Sequence, residues 1–354
     1  MYFLIDERVE NFKSYYRMRN PKPLLGFFVG SEYPLFRYEA AKNLPIDRAL
    51  RPDDFDPELF AEDCERLFTL HEEYGGDFIW SASAFWGIPW VEAIIGMELY
   101  ANHGTGSIYT KNSVGTSLAD SLKPFNRQNK WVILAEKMLQ AAAKKSNGRF
   151  PLATTRIRGI SDILSAIYGE ELFIFEVLDD SENIHKTAEK LTDILVDFSK
   201  LQLENIPDYH GGIGSFYYNM WVPSRTVWLQ EDSTALLSPD LYVQHIKSHD
   251  EKIISALESC IMHQHPTGYI PYKQYLDMNL TALELHIDKG GPSAEELFPV
   301  HQAILSCKPL LIWGEIPLKD LDWIFNKLPP EGLAVACVVN NKKQAENIWK
   351  RYKN

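Results

Sequence analysis

"TVWLQEDSTALLSPDLYVQHIKSHDEKIISALESCIMHQHP", residues 226–266, is the stretch whose reading decides the fold. It opens on a strand-length apolar run, TVWLQ (226–230). Ser238 and Pro239 then start a helix that buries Tyr242, Ile246, Ile253 and Leu257. A second apolar run, SCIMH (259–263), follows without helical period. Two short buried runs separated by a helix are the unit of a parallel sheet, because parallel neighbours need a crossover and are covered on both faces. Working outward, the same alternation continues through ALELHI, PLLIWG and GLAVACVV. Upstream, LLGFFVG, DFIWSAS and PLATTRI supply further strand-like runs. The pattern predicts an α/β chain folded as a (β/α)8 TIM barrel, its C-terminal half regular and its closure completed by N-terminal strands. A doubly wound open sheet is the alternative. It loses its usual nucleotide-binding versions, since no GxGxxG follows a strand and no GxxxxGK[ST] occurs.

Helix signals agree with this frame. Asp56 and Pro57 open a helix that Gly75–Gly76 should stop. Residues Ile184, Ala188, Leu191, Leu195 and Phe198 form one buried stripe, and Ser293 to Glu296 reads as a capping box. Residues 1–24 are read as a helical extension, and 85–150, with their Gly/Ser/Thr/Asn-rich segment, as an irregular excursion on the loop side. The whole of 1–354 is read as one domain.

Composition narrows the function classes. The formal net charge of -12 disfavours nucleic acid and anionic membrane as partners. No apolar run approaches the ~18 residues of a spanning helix. The four cysteines, Cys64, Cys260, Cys307 and Cys337, form no CxxC pair. They read as reduced thiols of a cytoplasmic protein, and the acid-bearing first residues do not read as a secretory signal.

In a parallel barrel the segments after the strands' C-terminal ends build the site. That rule selects His263 and His265 after SCIM, Asp232 after TVWLQ, Glu315 after PLLIWG, Arg158 after PLATTRI, and Cys337 in the last strand. Residues i and i+2 of a strand leave on one side, so His263 and His265 can converge on a metal, with Cys337 and Glu315 available to complete the set. The competing reading makes the pair loop chemistry and Cys337 core. Asp232 is either a base or substrate ligand, or the cap of a turn. Phe85, Trp86, Trp90, Tyr217, Trp221 and Trp313 offer large rings for a flat apolar substrate, or for an interface that would make a homodimer.

The stretches DPELFAEDCERLFTLHEEYGGD, FWGIPWVEAIIGM, PLATTRIRGISDILSAIYG, LQEDSTALLSPDLYVQHI, MHQHPTG and GGPSAEELFPV together resemble the uroporphyrinogen decarboxylase-like superfamily over nearly the whole chain. The resemblance implies a single barrel with an N-terminal helical extension, and one of two chemistries. True decarboxylases grip carboxylates with an N-terminal arginine, absent from LLGFFVGSEYP. The other branch comprises cobalamin-dependent methyltransferases that activate a thiol on zinc held by a His-x-Cys pair and a distant cysteine. MHQHP sets His263 on that histidine, His265 on the first cysteine, and Cys337 near the distant one. The resemblance therefore implies a zinc-dependent methyltransferase acting between a corrinoid on a partner protein and a small thiol or similar nucleophile. The alternative it leaves is a metal-free decarboxylase of a carboxylated ring, with Arg156 or Arg158 holding carboxylate. A barrel that only binds is the third reading.

Overall fold

The structure is a computed structural model that describes residues 3–111, 121–179, 182–216 and 219–353. Its centre is a seven-stranded parallel sheet. In chain order the strands are β1 (Leu24–Val29), β2 (Ile157–Arg158), β3 (Thr226–Gln230), β4 (Ser259–Gln264), β5 (Ala282–Ile287), β6 (Leu310–Gly314) and β7 (Leu333–Val339). They lie in the order β1-β7-β6-β5-β4-β3-β2, so each strand from β3 to β7 sits beside its chain neighbours. Strands β1, β3, β4 and β6 are buried at every residue, which is why their sequences read as unbroken apolar runs.

The C-terminal half follows the sequence pattern closely. Between β3 and β4 run helices Pro239–His245 and Lys247–Ala256, the first capped by Ser238, whose side chain accepts from Leu241 N. Helices Tyr272–Asp277, Phe298–Leu305, Leu318–Lys327 and Lys342–Tyr352 follow β4 to β7 in turn. The Ser293–Glu296 box forms, but it caps a turn, and the helix begins only at Phe298.

Among the described residues the closed eight-stranded ladder does not form. The run DFIWSAS occupies the gap between the two edges without becoming a regular strand. Asp77 N donates to Leu25 O at 2.9 Å, and Ala82 makes an isolated parallel bridge with Leu152. The reason is local. Leu25 N, which a ladder would pair with a backbone carbonyl, donates instead to the Asp77 side chain at 2.8 Å. The Phe78 ring also fills the space beside Gly26, where a Cβ would come within 2.2 Å of it. Helix Ile5–Tyr16 packs over this seam, with Phe12 5.6 Å from Phe78 between ring centroids.

Residues 85–150 are more ordered than their composition suggests. They hold a one-turn helix Trp90–Ile94, an antiparallel hairpin (Leu99–Asn102 with Ser107–Thr110) and a 17-residue helix Lys130–Ser146. Asn129 caps that helix, and Val132, Ala135, Leu139 and Ala142 are among its buried residues. Part of the Gly/Ser/Thr-rich segment lies outside the described residues. No helix among the described residues is long and apolar enough to cross a membrane.

Candidate metal centre and substrate cavity

The site starts from β4. His263 is buried, and the register sets it beside Glu284 of β5. The His263 Nδ1–H donates to the Glu284 carboxylate, itself fully buried. Burial pushes the His263 pKa down to about 3, so the ring stays neutral. Its one proton is held on the nitrogen facing Glu284, and Nε2 is left with its lone pair. That lone pair faces Asp232, whose Oδ1 lies 3.6 Å away.

Asp232 sits where β3 ends. Its Oδ2 accepts from Gln230 Nε2, whereas its Oδ1 is buried and has no hydrogen-bond partner among the described residues. Burial, the largest influence, raises the Asp232 pKa against the lowering effect of His263. The preceding Glu231 serves the scaffold: its carboxylate accepts from Ile160 N at 2.6 Å and Ser161 N at 3.0 Å, tying the end of β3 to the start of helix Ile160–Tyr168.

His265, just beyond β4, is part-buried and its ring centroid lies 4.6 Å from that of His263. Its Nδ1 donates to Asp288, with Oδ1 at 2.8 Å and Oδ2 at 2.9 Å. Burial opposes charge on this ring, but the Asp288 hydrogen bond and the charges of Asp232, Asp288 and Glu284 prevail and raise its pKa to about 9. His286 of β5 lies on the other side, 4.5 Å from His265 between centroids, and is held neutral by burial.

Two groups of donors result, and they share His265. Asp232, His263 and His265 bring one atom each within 4.8 Å of one another, as do His265, His286 and Asp288. The first group fits zinc better. Two donors on a tetrahedral ion at zinc's usual bond lengths lie roughly 3.3 Å apart, and His263 Nε2 and Asp232 Oδ1 need to close only slightly from 3.6 Å. A buried carboxylate oxygen with no partner is costly unless something completes it. Asp288, by contrast, already has its carboxylate on His265.

The other sequence candidates separate. Cys337 is buried on β7, with β6 and β5 between it and β4, and it belongs to neither donor group. Burial holds its thiol up at about 12, the state of an inert core cysteine. Glu315 follows β6, also belongs to neither group, and lines a neighbouring groove with Asp288, Lys289 and Lys319. Arg158 pairs with Glu92 at 2.6 Å and Asp162 at 3.6 Å, and it does not line the cavity beside the donors. Phe85, Trp90 and Trp221 are core: Phe85 packs 4.5 Å from Phe60 between centroids, and the two indoles donate to Phe85 O and Tyr209 O. Tyr217 lies outside the described residues. Trp86 and Trp313 do line the cavity.

That cavity measures ≈ 390 Å³ and opens over His263, His265 and His286. Phe216 and Trp228 join Trp86 and Trp313 in its walls, and Glu32, Gln230, Arg156 and Asp288 supply polar atoms. The sequence reading missed Glu284, His286 and Asp288. Their signal was present, since polar residues at i, i+2 and i+4 of LELHID share one face of an apolar strand.

No protein-family model matches the sequence, and neither does any curated protein. Among solved structures, a methyltransferase from Methanosarcina mazei matches with a TM-score of 0.62 over 97% of this chain and 97% of that one, at 12% sequence identity. At that identity the likeness is one of fold, and it runs nearly end to end.

Proposed function

We propose that this chain is an enzyme of the uroporphyrinogen decarboxylase-like kind that uses zinc held by Asp232, His263 and His265 to transfer a methyl group. The acceptor or donor pair would be a corrinoid, carried by a partner protein, and a small thiol or similar nucleophile. The observation that carries the reading is the convergence of Asp232 Oδ1 and His263 Nε2, 3.6 Å apart, each side chain held by a partner through its other polar atom. Gln230 holds Asp232 Oδ2, and Glu284 holds His263 Nδ1. Such outer partners fix tautomer and direction and raise ligand basicity. Three protein donors leave a position open, which is the catalytic pattern for zinc. When bound, the ion supplies Lewis acidity that favours the thiolate form of a coordinated thiol.

The chain's own residues do the remaining work. Asp288 orients His265 and takes up its charge until the ring gives up its proton. Trp86, Phe216, Trp228 and Trp313 exclude water around the reacting groups. The choice of methyl transfer is supported by the sequence resemblance and by the fold shared with the Methanosarcina methyltransferase.

The test is demethylation of a free methylated corrinoid by a small thiol, followed by the corrinoid absorbance. Zinc-loaded protein should accelerate it, and His263→Ala and Asp232→Asn should remove the acceleration. A rate indifferent to both substitutions would overturn the reading.

A further inference from the structure

Arg156 has no role in the scheme above, yet it lines the same cavity. Among the described residues it makes no hydrogen bond and no ion pair. Glu92 and Asp162 pair with Arg158, and neither they nor Asp232 is in contact with Arg156, although all three favour its charge from farther off. Burial and the neighbouring Arg158 both work against its charge. A guanidinium stays ionised all the same, and presents a planar fork of donors suited to a carboxylate or phosphate. A part-buried cation with no acid in direct contact among the described residues, facing a cavity beside reactive groups, is arranged for an anion that arrives with the ligand.

We infer that the substrate of this cavity carries one anionic group, held by Arg156, on a compact apolar or aromatic body that packs among Trp86, Phe216, Trp228 and Trp313. One anionic group is the limit the surroundings set. Glu32, Asp232 and Asp288 line or border the same space and would repel a second, and the charge of His265 is already matched by Asp288. The volume of ≈ 390 Å³ suits a small molecule. The inference names the substrate class of the site proposed above and rests on that cavity being the site. It does not require the metal.

The experiment titrates benzoate, phenyl phosphate and neutral benzamide into the full chain, by calorimetry, once with chelator and once with added zinc. Benzoate or phenyl phosphate should bind the metal-free protein roughly tenfold or more tighter than benzamide, the size of a charge-assisted hydrogen bond. Which of the two binds distinguishes a carboxylate from a phosphate ligand. Arg156→Met, which keeps the apolar stem, should bring the anion down to the benzamide level, and Arg156→Lys should restore part of the difference. A melting temperature unchanged by Arg156→Met keeps the comparison valid, and Arg156→Lys answers it alone if that variant is unstable. Equal binding of anion and amide, binding of neither anion, or anion binding that needs zinc and ignores Arg156→Met would each overturn the inference. Failure to bind zinc with the Arg156 effect intact would sink only the metal reading.

Discussion

Replacing Glu284 by Gln changes one charge and almost no volume at a side chain that belongs to neither donor group. Glu284 is fully buried, and its carboxylate accepts from His263 Nδ1 across the β4–β5 register. Gln can still accept through its amide oxygen, so the ring should keep its tautomer. What is lost is the negative charge that makes His263 Nε2 a better donor. Outer partners of this kind are worth roughly 10- to 100-fold in metal affinity, or about 1.4–2.7 kcal/mol. The apo fold should not suffer, because a buried neutral amide is less costly than a buried carboxylate. Competition against a chromophoric chelator measures the zinc affinity, and thermal unfolding of chelated protein measures the fold. The expected result is weaker zinc with an unchanged or higher melting temperature. Wild-type zinc affinity in Glu284→Gln would mean that His263 is not a ligand, whatever its geometry.

Three further outcomes follow from other parts of the chain. His301 is fully buried with neither ring nitrogen hydrogen-bonded, and burial lowers its pKa to about 4. The unfolded ring binds a proton first, so stability present above about pH 6.5 is lost as pH falls toward 4; at pH 5 the loss is on the order of 2 kcal/mol, and His301→Leu should remove that share of the acid sensitivity in a series of melts. An unaltered pH profile would contradict it. Iodoacetamide on the native chain should label Cys307, which is exposed, and spare the buried Cys64, Cys260 and Cys337; mass spectrometry showing early modification of Cys337 would contradict its core placement. Uroporphyrinogen should not be decarboxylated, since Arg37 is spent on Val29 O and the Phe28 ring and Arg158 on Glu92, leaving Arg156 to face several carboxylates, and formation of coproporphyrinogen would overturn this.

The sequence carried the architecture from residue 226 onward because fully buried parallel strands and capped helices leave periodic traces. It carried the seam poorly. Asp77 reads as an ordinary strand residue, and nothing in one dimension says that its side chain will take the Leu25 amide. Helix Lys130–Ser146 was legible in its Asn129 cap and apolar spacing, but the Gly/Ser-rich run before it masked the signal. In the site, the H-x-H spacing accords with two rings 4.6 Å apart between centroids. Finding which side chain stands with the two histidines required knowing which strands are neighbours. Cys337 matched by chemistry, but β5 and β6 stand between its strand and β4. Asp232 came within reach because β3 is adjacent to β4, with Gln230 in register with His263. Aromatic rings are ambiguous for a related reason: FWGIPW supplies two core rings, Phe85 and Trp90, and one cavity wall, Trp86, and only packing separates them.

The most direct test of the account is the zinc content of four purified chains: wild type, Asp232→Asn, His265→Ala and Cys337→Ala, each stripped, reloaded and desalted before elemental analysis. Asp232, His263 and His265 as the ligand set predict about one zinc per wild-type chain, the same for Cys337→Ala, and little for Asp232→Asn and His265→Ala. Zinc lost with Cys337 and kept without Asp232 would contradict that set, and a wild-type chain that retains no zinc after reloading would contradict the metal centre itself.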